Sequence, residues 1–164
     1  MTNEEILANL KGKYPDAVVD VPELIDFTVV VKPETLLDVA VFLRDECGLD
    51  YVADVTAVDR PEWFEMVYHL YSIKDQTPEP FVLKVYLEDK QNPVLASVTP
   101  LWLGADFQEC EVYDLMGITF EGHPDLKRIL LWDGFPGHPL RKDFENKTYT
   151  FKQLETTRPK HSAS

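Results

Sequence analysis

The sequence predicts an α+β fold, a two-layer α/β sandwich with helices on one face of a mixed sheet. The element order is α-β-β-α-β-β-β, followed by a helix and an extended irregular C-terminal arm. Three observations predict it: apolar residues recur at helical spacing in three places, β-branched and aromatic runs recur in five, and regular patterning stops after Gly117. With 164 residues, 45% of them hydrophobic, the chain buries roughly 70% of the surface it exposes when unfolded, enough for one core.

Thr2 and Glu5 form a capping box ahead of the stripe Ile6, Leu7 and Leu10, and the stretch from Gly12 to Pro15 stops this first helix. Runs 17–21 and 25–31 read as a strand pair, the second with Ile25, Phe27, Val29 and Val31 on one face. Pro33 suits a first helical turn; Leu36, Leu37, Val39, Ala40 and Leu43 give the second helix a broad apolar face, and Gly48 ends it. Segments 51–59, 63–73 and 81–88, parted by Pro61 and the turn KDQTPEP, predict an antiparallel meander. Within it Trp63, Phe64, Tyr68, Tyr71, Phe81 and Tyr86 fall at strand spacing as core and cross-strand residues. After Trp102 the segment GADFQECEVYDLM reads as a helix that Gly117 terminates. The predicted organisation is thus a body over residues 1–116 and a basic arm over 117–164.

Charge separates these parts. The chain carries a formal charge of −13, yet residues 1–126 hold 8 basic and 25 acidic side chains while residues 127–164 hold 8 basic and 4 acidic. Overall acidity speaks against nucleic acid, whose affinity rests on phosphates neutralised by Lys and Arg. Between Gly117 and Asp143 lie four of seven glycines and three of twelve prolines, a long irregular stretch of a kind uncommon inside a compact monomer. Such an arm either folds back on its own body, lies over a partner, or offers a basic surface to an acidic ligand.

Several function classes lose their usual signals. The longest run without Asp, Glu, Lys or Arg is 91–105, 15 residues broken by Pro93, Pro100 and Gly104, too short for a membrane span. The acidic start MTNEEIL has neither secretory nor transit-peptide character, which predicts a cytoplasmic location. Cys47 and Cys110 stand 63 positions apart with no CxxC, so the ligand spacing of zinc sites and iron–sulfur clusters is missing, and a disulfide is not expected. GxGxxG, GK[ST] and GxSxG are absent, which removes the ordinary signals of nucleotide and acyl-transfer chemistry.

On the last predicted helix Glu111 and Asp114 are three residues apart and share a face, with Glu109 offset toward the next. Three close carboxylates repel, and ion pairing with Lys127, Arg128, Arg141 and Lys142 is the expected compensation. A general acid–base pair is the rival reading and requires burial to push one member toward neutrality. Two copies of one pattern follow, Phe120-Glu-Gly122-His123-Pro124 and Phe135-Pro-Gly137-His138-Pro139. Gly permits an unusual backbone angle and Pro fixes the next φ, so each imidazole is held in one direction for a hydrogen bond or a ligand. A metal-dependent hydrolase using His123, His138, Glu111 and Asp114 is the enzyme reading of these residues, although a full donor set at ligand spacing is lacking.

Read together, residues 109–130, ECEVYDLMGITFEGHPDLKRIL, resemble the signature of the 30 kDa subunit family of respiratory complex I, the C-type subunit of bacterial NADH:quinone oxidoreductase. Glu109, Glu111, the Tyr113-Asp114 pair, Gly117, the block Gly122-His123-Pro124 and the basic pair Lys127-Arg128 all fall on that pattern. The segment GFPGHPLRKDF, with Gly137, His138, Pro139, Arg141 and Lys142, continues the resemblance, and DVTAVD, MVYHLYS and SVTPLW extend it over residues 50–145. One departure is Cys110, where the family usually has Arg, which leaves Glu109 and Glu111 without a local counter-ion.

The resemblance implies a scaffold subunit of the hydrophilic arm with no active site of its own and no flavin, cluster or quinone. FMN and iron–sulfur clusters would belong to partner subunits. Those partners would be the 49 kDa (D-type) subunit and iron–sulfur subunits of the B and I types. The chain would sit peripherally on the cytoplasmic side of the cell membrane, reaching it only through the complex. The whole machine would pass electrons from NADH to quinone and translocate protons. Related membrane-bound hydrogenases and ferredoxin- or coenzyme F420-driven complexes use similar subunits. In such an assembly residues 117–143 would lie on partners, with Arg128, Arg141 and Lys142 as interface cations.

Overall fold

A computed structural model describes residues 1–146 and Thr148; the rest of the predicted arm, residues 147 and 149–164, lies outside the described residues. Helix α1 (Asn3–Lys13) opens on the expected capping box, with Thr2 Oγ1 accepting from the Glu5 amide and Glu5 Oε2 accepting from the Thr2 amide. Strands β1 (Val18–Asp20) and β2 (Thr28–Val31) pair antiparallel. A 3-10 turn (Pro33–Thr35) leads into α2 (Leu36–Asp45), which buries Leu36, Val39, Ala40, Phe42 and Leu43.

The meander is β3 (Tyr51–Asp59), β4 (Phe64–Tyr71) and β5 (Phe81–Leu87). Strand order in the five-stranded sheet is β1-β2-β5-β4-β3, and the β2–β5 pairing is parallel, so the sheet is mixed as expected. Alternation sorts its side chains. Phe64, Met66, Tyr68 and Leu70 of β4 and Phe81, Leu83 and Val85 of β5 enter one core with Ile6 and Leu10 of α1 and the apolar face of α2. Among the residues between them, Glu65 is buried yet satisfied, accepting from Lys84 Nζ at 2.6 Å and Arg60 Nε at 3.0 Å.

Two features depart from the expected elements. The second strand is Thr28–Val31 and not 25–31: Thr28 Oγ1 donates to the Asp26 carbonyl in a local turn bond, the Phe27 carbonyl still accepts from the Val82 amide of β5, and Ile25 is fully exposed. Regular structure also continues past Met116, the expected end of the body. Strand β6 (Val94–Ala96) pairs in parallel with β7 (Thr119–Glu121), and between them runs α3 (Ala105–Met116). Helix α3 packs beside edge strand β3, where Gln108 Oε1 accepts from the Val55 amide at 2.6 Å and so covers a ladder donor. Among the described residues, no helix is long and apolar enough to cross a membrane.

Candidate functional site: a carboxylate latch between helix and arm

Helix α3 is covered on two sides. Its Ala105, Val112 and Met116 join the core, while Asp114, also fully buried, faces the arm. Asp114 Oδ2 accepts from three successive backbone amides, Ile129 at 3.1 Å, Leu130 at 2.8 Å and Leu131 at 2.9 Å. Its Oδ1 accepts from Arg128 Nη1 at 3.0 Å. Burial works to raise the Asp114 pKa, but the amides of Leu131, Leu130 and Ile129, with Arg128, overcome it and hold the group below the ordinary 3.8. An ionised carboxylate is thereby the anchor around which residues 128–131 wrap.

The arm then returns to close the C-terminus of the same helix, whose last carbonyls have no partner within it. His138 Nδ1 donates to the Asp114 carbonyl at 2.9 Å, the Leu140 amide to Leu115 at 3.0 Å, and Arg141 Nε to Met116 at 2.6 Å. Arg141 Nη2 also reaches the Gly117 carbonyl at 3.3 Å, and its guanidinium lies 5.0 Å from the centre of the Phe64 ring. A cation at a helix C-terminus is favoured by the helix dipole as well. Gly117 makes this approach possible: its φ is +72°, and a Cβ there would stand 2.5 Å from His138 Cδ2 and 2.8 Å from Arg141 Nη2. Beyond the helix, the Lys142 amide donates to Asp59 Oδ2 at 2.8 Å, and Lys90 Nζ donates to Asp59 Oδ1 at 2.5 Å.

Burial pulls the His138 pKa below its ordinary 6.5, with the Arg128 and Arg141 charges acting in the same direction. A depressed imidazole contributes stability that is full above 6.5 and is lost as pH falls through the lower folded value. Denaturation midpoints should therefore fall on acidification from about pH 7.5 to about pH 5.5, and part of that fall should vanish in His138→Asn. An unchanged pH profile in the variant would show that this ring does not sense pH.

These contacts revise the charge-pairing expectation. Among the described residues, Asp114 alone of Glu109, Glu111 and Asp114 pairs with an arm cation, Arg128. Glu109 is fully buried on the body side, its Oε2 accepting from Ser97 Oγ at 2.6 Å and its Oε1 from the Val98 amide at 2.8 Å. Burial raises its pKa against those two bonds. Glu111 is exposed and does not share the Asp114 site, and Tyr113 is half-buried with its ring 6.4 Å from that of His138. Lys127 pairs with Asp125 on the arm itself, and Arg128 and Arg141 donate largely to backbone carbonyls of this chain. The second His-containing turn, with Gly137 at φ +94°, closes on α3, whereas the first, with Gly122 at φ +82°, places His123 Nε2 beside Asp106 and Cys110. His123, His138, Glu111 and Asp114 are thus not gathered into one metal site, against the hydrolase reading. Ser97, Thr99 and Asp59 complete the site; they lie in SVTPLW and DVTAVD, segments that carry the resemblance, but nothing in those segments marks them as partners of Glu109 or of the Lys142 amide.

The arm is held, yet it leaves apolar surface uncovered. Leu130 is 61%, Leu140 59% and Trp132 39% exposed. Trp132 packs edge-on against Phe135 at 4.8 Å between ring centres, and Phe135 stacks on Phe144 at 5.9 Å.

The family model described as respiratory-chain NADH dehydrogenase, 30 Kd subunit, matches residues 29–150. The C-type subunit of the NADH-quinone oxidoreductase of Moorella thermoacetica is 45% identical over 148 residues, covering 88% of this chain and 97% of the relative. The corresponding C-type subunit from Roseiflexus sp. is 40% identical over 169 residues, covering 93% and 92%. Among solved structures, the trypsin-resistant fragment (1-134) of Nqo5 is similar with a TM-score of 0.64 at 35% identity, covering 77% of this chain and 100% of the fragment. A chain of the membrane-bound sulfane sulfur reductase, an archaeal respiratory membrane complex, is similar with a TM-score of 0.70 at 25% identity, covering 87% and 85%. This chain belongs to the family of the 30 kDa subunit of respiratory-chain NADH dehydrogenase, complex I.

Proposed function

We infer that this chain is a positional subunit in the peripheral arm of a proton-translocating NADH:quinone oxidoreductase, and that it binds neighbouring subunits through the apolar face of its C-terminal arm. One observation carries this reading: a segment fixed by Asp114 and by the end of α3 nevertheless presents Leu130, Trp132 and Leu140 to solvent. Apolar side chains on a rigid, irregular segment form an interaction surface, since ordering costs have already been met within the chain. Arg128 and Arg141 act on that surface indirectly, by holding it, and Lys142 is tied to the body through its amide on Asp59.

The chain does no chemistry of its own in this reading. The carboxylates of Asp114 and Glu109 and the Nδ1 of His138 are engaged in holding structure, which supports assigning flavin, clusters and quinone to other subunits. Partners are the 49 kDa (D-type) subunit and iron–sulfur subunits of the B and I types, on the cytoplasmic side of the membrane, with contact to the bilayer only through the complex. Its contribution is to fix those subunits at tolerances that electron transfer requires. The equivalent subunit of a related respiratory complex is the second reading, favoured by the likeness to a chain of the sulfane sulfur reductase.

Purification of the tagged full chain from native membranes in mild detergent, followed by mass spectrometry and a donor-to-quinone assay, tests both. Cluster-bearing subunits with NADH:quinone activity support the first reading, and hydrogenase-type or ferredoxin-linked partners support the second. In a Leu130→Asp, Leu140→Asp variant, recovery of partners should drop at least about tenfold while the free chain keeps its melting temperature. Full recovery would overturn the docking role of this face.

A further inference from the structure

We propose that Asp106, Cys110 and His123 form a binding site for one divalent transition-metal ion of the zinc type. Asp106 and Cys110 are four residues apart on α3 and project from one face of the helix. His123 reaches them from the first Gly-His-Pro turn, with Gly122 at φ +82°. Its Nε2 lies 3.8 Å from Cys110 Sγ and 3.2 Å from Asp106 Oδ1, and the three donor atoms all lie within 4.8 Å of one another. Metal–ligand lengths of about 2.0–2.3 Å at tetrahedral angles set ligand atoms about 3.3–3.6 Å apart. The separations of Nε2 from the thiol and from the carboxylate are therefore already those of a tetrahedral centre to within a few tenths of an ångström.

Exposure and donor chemistry point the same way. The imidazole is fully buried and the thiol nearly so, whereas the Asp106 side chain is 44% exposed, which leaves one side open for entry of an ion and for a water ligand. Thiolate, imidazole and carboxylate together suit zinc, while calcium and magnesium select oxygen donors. A thiol nucleophile activated by His123 does not fit the same geometry. The Asp125 amide donates to His123 Nδ1 at 3.1 Å, so the neutral ring carries its proton on Nε2, the atom that faces the thiol, and no lone pair is available there to accept the thiol proton. A buried sulfur is also out of reach of a substrate but not of an ion.

Binding moves two protons. The thiol releases one to solvent, and the ring proton passes from Nε2 to Nδ1, leaving the imidazole neutral and Nε2 free to ligate. The Asp125 amide must then turn away from Nδ1, which gives binding a local reporter. The ion would tie the first half of α3 to the turn at 123–125, as Asp114 ties its second half to residues 128–131. The site does not depend on the subunit reading, and assembly with partners stands whether or not an ion binds.

The full chain, stripped of metal by a chelator, should bind one equivalent of Co²⁺ with a thiolate-to-cobalt charge-transfer band and tetrahedral visible bands that Zn²⁺ abolishes. The Asp125 amide resonance should shift on Zn²⁺ addition. Cys110→Ser and His123→Ala should lose the charge-transfer band, and Asp106→Asn, which alters only a half-exposed side chain and so keeps the fold, should weaken Zn²⁺ binding more than about tenfold. Absence of the band at one equivalent, its persistence in Cys110→Ser, or unchanged affinity in Asp106→Asn would each overturn the site.

Discussion

Asp114→Ala is expected to lower the free energy of unfolding by about 3–5 kcal/mol, the range for removing one partner from a buried ionic network. The reason is what it strands: the amides of Ile129, Leu130 and Leu131 and the guanidinium of Arg128 all lose their acceptor at once. Each is near water at the arm surface, so release of the arm is the cheapest relaxation, and trypsin should cut after Lys127 and Arg128 far faster than in the parent chain. Asp114→Asn keeps one acceptor oxygen and loses the charge, so it should fall between the two. The sign of the pH effect follows from the depressed pKa: stability from Asp114 is full above 3.8 and is lost as pH falls through the still lower folded value. Urea denaturation together with timed trypsin digestion measures both effects, and a loss below about 1 kcal/mol would show that the latch does not hold the arm.

Glu109 gives the second large effect with the opposite electrostatics. Glu109→Ala removes the acceptor of Ser97 Oγ and of the Val98 amide and opens a void in the interior near Tyr68, for a loss of about 3–4 kcal/mol. Glu109→Gln preserves shape and one carbonyl oxygen for Val98, and Ser97 can accept from the new amide while donating to Thr99, so its loss should stay under about 1 kcal/mol. Burial raises the Glu109 pKa above 4.5, so its stabilisation is full below that value and declines as pH rises through the folded one. The Gln variant should therefore gain on the parent chain as pH rises through that range, which paired denaturation curves at several pH values will show. A Gln variant as weak as Ala would mean that the charge itself is needed.

Local signals were legible in the sequence and long-range ones were not. The Thr2–Glu5 capping box, the α2 face of Leu36, Val39, Ala40 and Leu43, the bounds of β3 and the stop at Gly117 each depend on a few neighbouring residues, and the structure reproduces them, while Leu37, expected on that face, is exposed and Phe42 is buried in addition. Strands β6 and β7 escaped because three residues are too few to show a period and their pairing is parallel across a helix. At the site, the motif marks Asp114, Arg128, His138 and Arg141, and reasoning from charge finds the Asp114–Arg128 pair but not the backbone partners that take the other contacts. Backbone groups take most of the contacts, three amides on Asp114 and the last carbonyls of α3 on His138 and Arg141, and every residue carries such groups whatever its type. Glu109 and Asp114 point about 140° apart around a 3.6-residue turn, yet both are buried, since the helix is enclosed by body on one side and arm on the other.

The same enclosure fixes the surface on which the functional account rests. Hydroxyl-radical footprinting of Trp132 in the free chain and in the complex purified from membranes measures whether that surface is covered. Trp132 is 39% exposed in the chain by itself, so it should be oxidised readily there and at least about fivefold more slowly in the complex, as expected for an aromatic anchor in an interface. Equal oxidation in both would contradict the claim that the arm is where this subunit meets its neighbours.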